Sequence, residues 1–186
     1  MWRDTRQDYG VVTIALHWLV AILVPGLFAL GLWMVDLTYY DAWYRTAPSI
    51  HKSIGVLVFL VLVLRLLWRL ANPKPLPEPT LSRFERRASG LVQGLLYLLL
   101  FGVLVSGYLI STADGRPIEV FGLFEVPAML TDLPAQADRA GDIHLILAIS
   151  VIALASLHAL AALKHHFIDH DRTLVRMLRR SEPSAR

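Results

Sequence analysis

The chain has 186 residues, of which 55% are hydrophobic and 18% are charged, and its formal net charge at pH 7 is +3. This composition is too apolar for an ordinary soluble domain and is typical of a small integral membrane protein. The chain has no cysteine, which excludes disulfides, thiolate-bound metals, iron–sulfur clusters and covalent attachment of a c-type haem.

Four long apolar segments predict transmembrane helices at about 11–35, 50–70, 89–110 and 142–163, since about 20 apolar residues cross the hydrocarbon core of a bilayer. The first segment is too long for the apolar region of a signal peptide and lacks a convincing cleavage site, so we expect it to remain as a helix. The four segments and their connections leave no stretch of the sequence for a second domain. We predict an all-α membrane protein with one domain over 1–186, a four-helix up-down-up-down bundle in the lipid bilayer.

Basic residues are unevenly distributed between the two sides of these helices. The N-terminus, the segment from Arg65 to Arg87 and the C-terminal tail from Lys164 hold 14 of the 18 Lys and Arg, so the positive-inside rule places both termini in the cytoplasm. The opposite, outer side has four basic and eight acidic residues, a net charge of −4. Topology alone explains the basic loops, and we expect no nucleic-acid partner.

The first two predicted helices carry several candidate site residues. His17 lies about two turns from the cytoplasmic start of the first helix, and His51 lies at the outer boundary of the second, next to Lys52, a candidate for attracting an anion. Gly55, one turn deeper, would let a flat cofactor approach, although helix packing through a small residue explains it equally well. Arg65, at the inner depth, either pairs with a propionate of a cofactor or extends its charge to the membrane surface.

The third predicted helix has no histidine, so we expect it to supply walls rather than ligands. Four glycines in it indicate close helix packing. They are Gly90, Gly94, Gly102 and Gly107. The loop that follows, 111–142, is the longest connection, and its apolar patch at 128–133 favours a short interfacial helix. Covering an outer site, docking a partner and folding over the helix ends all remain open for this loop.

The fourth predicted helix carries His144 near its outer end and His158 near its inner end. Their 14-residue separation corresponds to a rise of about 21 Å and a rotation about 40° short of four turns, so both imidazoles point the same way. In the tail, His166 and His170 have the i,i+4 spacing of a metal-binding pair. No third ligand is evident there, and a solvated helix end is the favoured interpretation.

The four histidines within the spans fall at two matched depths. Ionisable residues inside a membrane are costly and by default functional. An up-down-up-down arrangement would bring His51 opposite His144 (the outer pair) and His17 opposite His158 (the inner pair). Each pair is suited to hold one haem iron between two imidazoles, and a six-coordinate iron transfers single electrons rather than binding oxygen. We predict two non-covalent b haems with these histidines as iron ligands.

The sequence around these histidines resembles the bacterial cytochrome b561 family. The motifs are A-L-H-W-L-V at 15–20, I-H-K-S-I-G at 50–55 followed by R-L-L-W-R at 65–69, G-D-I-H-L-I-L-A at 141–148 and L-H-A-L-A-A-L-K-H-H-F at 157–167. The resemblance implies a di-haem four-helix protein of the bacterial inner membrane, with axial ligands at the same four histidines. The stretch G-Y-L-I-S-T-A-D-G at 107–115 is similar to the branch associated with a periplasmic isoprenoid-binding, lipocalin-like protein.

The resemblance also implies exchange of electrons with the membrane quinone pool. The best-understood type of relative is a superoxide oxidase, which passes an electron from periplasmic superoxide to ubiquinone. Lys52, Arg116 and Arg139 could form a positive outer mouth for this anion, although the outer side is net −4. The acidic outer side fits equally well a quinone-linked subunit that serves a periplasmic redox or lipocalin-like protein and has no small substrate of its own. A proton or metal transporter would explain membrane histidines but not two matched pairs.

Overall fold

The computed structural model of the chain describes residues 1–131 and 133–178. Each of its four longest helices is long and apolar enough to cross a membrane. The elements in chain order are α1 (Val11–Met34), α2 (Thr46–Ala71), α3 (Arg83–Ser111), β1 (Ile118–Val120), β2 (Phe124–Val126), α4 (Gln136–Phe167) and α5 (Val175–Leu178). The prediction of a helical protein with four membrane-spanning helices is confirmed, and the structure adds one short pair of strands to the helices.

Two of the helices begin six residues before their predicted starts because polar residues cap and extend them. Ahead of α3, the Ser82 hydroxyl accepts a hydrogen bond from the Glu85 amide at 3.2 Å, and the Glu85 carboxylate accepts one from the Ser82 amide at 2.9 Å. This reciprocal pair is a capping box. At the start of α4, the Gln136 side-chain amide donates to the carbonyls of Leu109 and Leu130, both at 3.0 Å.

The chain divides into two compact units, and each contains one half of every long helix. Unit 1 comprises Met1–Val20, Val61–Leu96 and Ala153–Arg186, and unit 2 comprises Ala21–Leu60 and Tyr97–Ile152. The prediction of one domain over 1–186 stays a prediction.

In unit 1, the C-terminal segment that contains α5 packs against residues from the other segments of the unit. The Trp18 indole donates to the Met177 carbonyl at 2.7 Å. The buried guanidinium of Arg176 donates to the Leu76 carbonyl and to the Glu78 carboxylate, both at 3.0 Å. These contacts hold α5 beside the part of α1 that carries His17.

In unit 2, β1 and β2 form an antiparallel hairpin that the sequence did not predict. Ile118 and Val120 are buried on one side of β1. The Ser53 hydroxyl of α2 donates to the Glu119 carbonyl at 3.3 Å and accepts from the Phe121 amide at 3.2 Å. These bonds tether the hairpin to α2 two residues after His51.

The expected interfacial helix at 128–133 is wrong for the described part of that patch, which is irregular. Side chains from α3 and α4 form hydrogen bonds with the backbone in and beside this patch. The Tyr108 hydroxyl donates to the Pro127 carbonyl at 2.8 Å and accepts from the Met129 amide at 2.7 Å. The Gln136 side-chain amide donates to the Leu130 carbonyl. These hydrogen bonds from α3 and α4 hold the patch in its irregular conformation.

Candidate functional site

The outer pair lies together in unit 2. His51, from the first turns of α2, and His144, from the outer part of α4, have ring centroids 6.2 Å apart and ring planes at 70°. The two residues are 93 positions apart in the sequence. Their approach therefore depends on how the halves of α2 and α4 in this unit pack against each other.

The inner pair lies together in unit 1. His17 of α1 and His158 of α4 have ring centroids 6.4 Å apart and ring planes at 75°. The Trp18 ring contacts the His17 ring edge-on, with centroids 5.4 Å apart. The geometry of this pair is close to that of the outer pair, although the surrounding side chains are different.

Both spacings fit two imidazoles bound on opposite sides of one metal ion. With metal–nitrogen bonds of about 2.0 Å and ring centres about 1.1 Å behind the nitrogens, two such rings have centroids roughly 6.2 Å apart. The observed 6.2 and 6.4 Å agree with this value. The donor set also fits, because paired neutral imidazoles are suitable axial ligands for a haem iron held without cysteine.

His144 has a defined second contact through its Nδ1 atom. Nδ1 lies 2.9 Å from the carbonyl oxygen of Val103 and 3.2 Å from the hydroxyl of Ser106, both on α3. A carbonyl can only accept, so Nδ1 carries the proton and Nε2 of the neutral ring keeps its lone pair for a metal. A methyl group at Gly107 would lie 3.1 Å from the ring, closer than an ordinary contact.

His51 occupies a similar position against α1. A methyl group at Gly31 would lie 3.2 Å from its Cε1 atom. The Leu27 backbone, one turn before Gly31, interacts with the ring, but the buried Nδ1 forms no hydrogen bond of normal geometry with any described residue. His51 is therefore enclosed in the same way as His144 but held less firmly.

His17 has a cationic neighbour instead of a carbonyl. The Arg65 guanidinium of α2 lies 2.9 Å from its Nδ1. The structure thus places the predicted residue Arg65 at the inner pair. A propionate of a haem bound there would be a natural partner for this guanidinium.

The glycines of α3 divide into two groups. Gly102 and Gly107 pack closely against Leu147 and His144 of α4, whereas Gly90 and Gly94 are exposed, and a methyl group added to either would meet no atom of the described residues within 4 Å. The expected packing role is wrong for Gly90 and Gly94 because that face of α3 points outward. On α2, a methyl group at Gly55 would likewise meet no described atom within 4 Å. Packing against a neighbour therefore does not explain Gly55.

The surroundings of Lys52 are more acidic than its own charge suggests. Lys52 is exposed, and the neighbouring Ser53 holds the hairpin on which Glu119 and Glu125 face each other across the strands. Arg116, another residue of the expected positive mouth, pairs with Asp114 at 3.2 Å. These contacts reduce the positive potential available to an approaching anion.

The helical i,i+4 spacing of His166 and His170 is lost, because α4 ends before His170, which has a positive φ of 53°. His165 contacts carboxylates, with Nδ1 2.7 Å from Asp169 and 3.2 Å from Asp171. The ammonium group of Lys164 bridges Glu85 and Asp169, at 3.0 and 2.7 Å. Lys164 therefore lies beside two of the three carboxylates of this cluster.

Comparison with known proteins decides the family. The family model described as prokaryotic cytochrome b561 matches residues 8–180. The chain belongs to the prokaryotic cytochrome b561 family. It is therefore a multi-pass bacterial membrane cytochrome with b-type haem, and it transfers electrons across the membrane.

Individual relatives cover nearly the full length of this cytochrome b561. Cytochrome b561 homolog 2 of Escherichia coli (strain K12) is 57% identical, over 96% of this chain and 95% of the relative. The probable superoxide oxidase CybB of Yersinia pestis is 30% identical, over 93% and 97%. Cytochrome b562 of Cereibacter sphaeroides is also 30% identical, over 94% and 97%.

Sequence patterns do not identify the residues that contact the paired histidines. They give Ser106 and Gly31 no role, and they indicate only general helix packing for Gly107. Their signal in the sequence is weak, because glycine and serine are common in membrane helices and only the position of an imidazole from another helix gives them a function.

Proposed function

We propose that this cytochrome b561 carries electrons through two b haems, one between His51 and His144 and one between His17 and His158, and that it oxidises superoxide on its outer side and reduces ubiquinone. The observation that supports this most directly is the presence of two histidine pairs, each at the ring spacing expected for a single iron. We also propose an inner-membrane location with both termini in the cytoplasm, since 14 of the 18 basic residues flank that side.

When bound, each haem supplies a one-electron redox centre. His51 with His144 and His17 with His158 would hold the two haem irons, and two imidazoles on each iron would keep oxygen from binding the metal. Lys52 attracts the anionic substrate near His51. Arg65 pairs with a propionate at the inner pair. In the overall reaction, two superoxide anions each lose one electron and become dioxygen, while one ubiquinone takes up two electrons and two protons and becomes ubiquinol.

The test is stopped-flow reduction of the purified oxidised cytochrome by a superoxide pulse, followed by measurement of ubiquinol in the presence of added ubiquinone. Wild-type protein should be reduced much faster than superoxide dismutates by itself. Lys52→Glu should slow this reduction, whereas Lys74→Glu, an exposed lysine on the opposite predicted side, should leave it unchanged. If wild-type protein forms ubiquinol from superoxide no faster than a haem-free control, superoxide oxidation is rejected.

A second candidate is an electron-transfer subunit that serves a basic periplasmic protein. The hairpin favours it, because Glu119 and Glu125 lie directly opposite each other on an exposed face. Like charges in this position are destabilising, and a basic partner bound there would reduce their repulsion. Ferric cytochrome c, a small basic redox protein, is a suitable probe. Its reduction by the reduced cytochrome should slow in Glu119→Gln/Glu125→Gln and with rising salt. If the rate of cytochrome c reduction is the same in this variant and at high salt, this docking face is rejected.

A further inference from the structure

The helix without a histidine makes the closest polar contacts to the outer pair. On α3, Val103, Ser106 and Gly107 form a depression that receives the His144 ring, which we call the α3 socket. We propose that the α3 socket positions His144 as an iron ligand and lowers the reduction potential of the outer haem. This inference rests on the proposed function, because it takes His144 to be an axial ligand.

The hydrogen bond between the α3 socket and His144 has a fixed direction. The Val103 carbonyl lies 2.9 Å from Nδ1 of His144 and has no proton to give, so the imidazole donates. This sets the tautomer and leaves Nε2 as the metal-binding atom. A donated Nδ1 hydrogen bond also makes the imidazole more basic, which favours ferric over ferrous iron.

The side chain of Ser106 is almost completely buried. Its hydroxyl donates to the Val103 carbonyl at 2.9 Å, and its oxygen lies 3.2 Å from Nδ1 of His144. With its own proton engaged by the carbonyl, the hydroxyl oxygen is a second acceptor for Nδ1–H. Ser106 therefore strengthens the hold on the ring from the side of α3.

Gly107 lies one helical turn after Val103 on α3. A methyl group there would lie 3.1 Å from Cε1 and 3.3 Å from Nδ1 of His144. The backbone can approach the ring closely enough for the hydrogen bond only because this side chain is missing. Alanine would push the imidazole away from the carbonyl.

The outer pair is asymmetric in this respect. On α1, Leu27 and Gly31 repeat the carbonyl-to-glycine spacing beneath His51, but the residue three positions after Leu27 is Leu30, where α3 has Ser106. Within the described part of the chain, the Nδ1 of His51 lacks a hydrogen bond of normal geometry. The electron donation that lowers the potential therefore comes mainly from His144, the ring supported by α3.

The test compares Ser106→Ala and Gly107→Ala with two matched controls. Gly94→Ala changes an exposed glycine of the same helix, where an added methyl group meets no described atom within 4 Å. Ser150→Ala removes an exposed hydroxyl that donates to its own helix at 2.8 Å. The readouts are haem per chain, the two midpoint potentials from a spectroelectrochemical titration, and the electron paramagnetic resonance spectrum of the ferric protein.

Ser106→Ala should keep both haems and move one midpoint potential to more positive values while the other stays constant. Gly107→Ala should weaken the affinity of the apoprotein for one haem roughly 10- to 100-fold, the usual effect of losing a group that orients a metal ligand. The two controls should match the wild type in all three readouts. If Ser106→Ala and Gly107→Ala both behave like the controls, or if both potentials move together, the inference is overturned.

His144→Ala separates this inference from the proposed function. If His144→Ala loses one haem while the socket variants are silent, the ligand assignment stands and only the role of α3 is wrong. If His144→Ala keeps two haems with unchanged spectra, His144 is not a ligand, and the proposed function and the inference both fail.

Discussion

Arg65 donates a hydrogen bond from Nη2 to Nδ1 of His17 at 2.9 Å. A guanidinium has no acceptor, so Nδ1 of His17 must be unprotonated and a neutral ring carries its proton on Nε2. His144 has the opposite arrangement, with its proton on Nδ1 and Nε2 free. For iron to bind Nε2 of a neutral His17, Arg65 has to release Nδ1, and a propionate is a stronger partner for the guanidinium than an imidazole.

Arg65→Gln is accordingly expected to affect the inner haem. Removal of a positive charge beside this site destabilises the ferrous state, so one midpoint potential should become more negative. Loss of the propionate partner should also lower the haem content of the purified protein. Arg69→Gln, one helical turn further along α2, is the control, since Arg69 donates to Gln93 at 2.9 Å rather than to a histidine. Equal shifts in both variants would indicate a general effect of charge and contradict the specific role of Arg65.

Single histidine replacements should sort into two classes. The wild-type protein should contain two low-spin b haems per chain if each pair holds one iron, as we propose. His51→Ala and His144→Ala should each lose the same haem and retain the same residual reduced-minus-oxidised spectrum. His17→Ala and His158→Ala should share the other residual spectrum. Haem content by pyridine haemochrome and difference spectra measure this, and one haem in the wild type would refute the two-site assignment.

The ring planes make a spectroscopic prediction. The two imidazoles are crossed at 70° in the outer pair and 75° in the inner pair. Crossed rings donate to two different iron d orbitals almost equally, which leaves these orbitals close in energy and makes a low-spin ferric signal strongly anisotropic. We expect both haems to give such signals in low-temperature electron paramagnetic resonance. Two rhombic signals of the kind given by parallel rings would contradict the observed angles.

The buried ion pair of unit 1 should contribute strongly to stability. The side chains of Arg176 and Glu78 are 8% and 15% exposed and lie 3.0 Å apart. Arg176→Met leaves the Glu78 carboxylate without its partner, which should cost about 3–5 kcal/mol. Arg172→Met, in which a 58% exposed side chain loses a 3.4 Å contact to Asp8, should cost at most about 1 kcal/mol. Thermal unfolding in detergent checks this. Similar melting temperatures for the two variants would show that the Arg176–Glu78 pair contributes no more to stability than the exposed Arg172–Asp8 contact.

Much of the architecture could be predicted from local properties of the sequence. Hydropathy located the four spans, because a bilayer demands a nearly continuous apolar run of defined length. The helical repeat predicted that His144 and His158 share a face, and depth predicted which histidines would be partners. The ends of α3 and α4 were less accessible, since capping groups such as Ser82 and Gln136 lie outside the apolar segments.

The hairpin and the irregular patch after it escaped prediction for a different reason. The strands are three residues each and depend on Ser53, more than 60 residues away in the chain. The patch at 128–133 has the composition of a short helix, but Tyr108 and Gln136 form hydrogen bonds with its backbone groups. Local propensity is a weak guide where side chains from distant helices supply the hydrogen bonds.

The sequence by itself determined the number of spans, the depth of each histidine and the absence of any thiolate ligand, because these follow from hydropathy, helical geometry and composition. Only the tertiary structure decided what lies against each imidazole: Val103 and Ser106 at His144, Gly31 at His51, and Arg65 at His17. These contacts join helices that are far apart along the chain. The protonation site of each ring depends on that packing, and no spacing in the sequence encodes it.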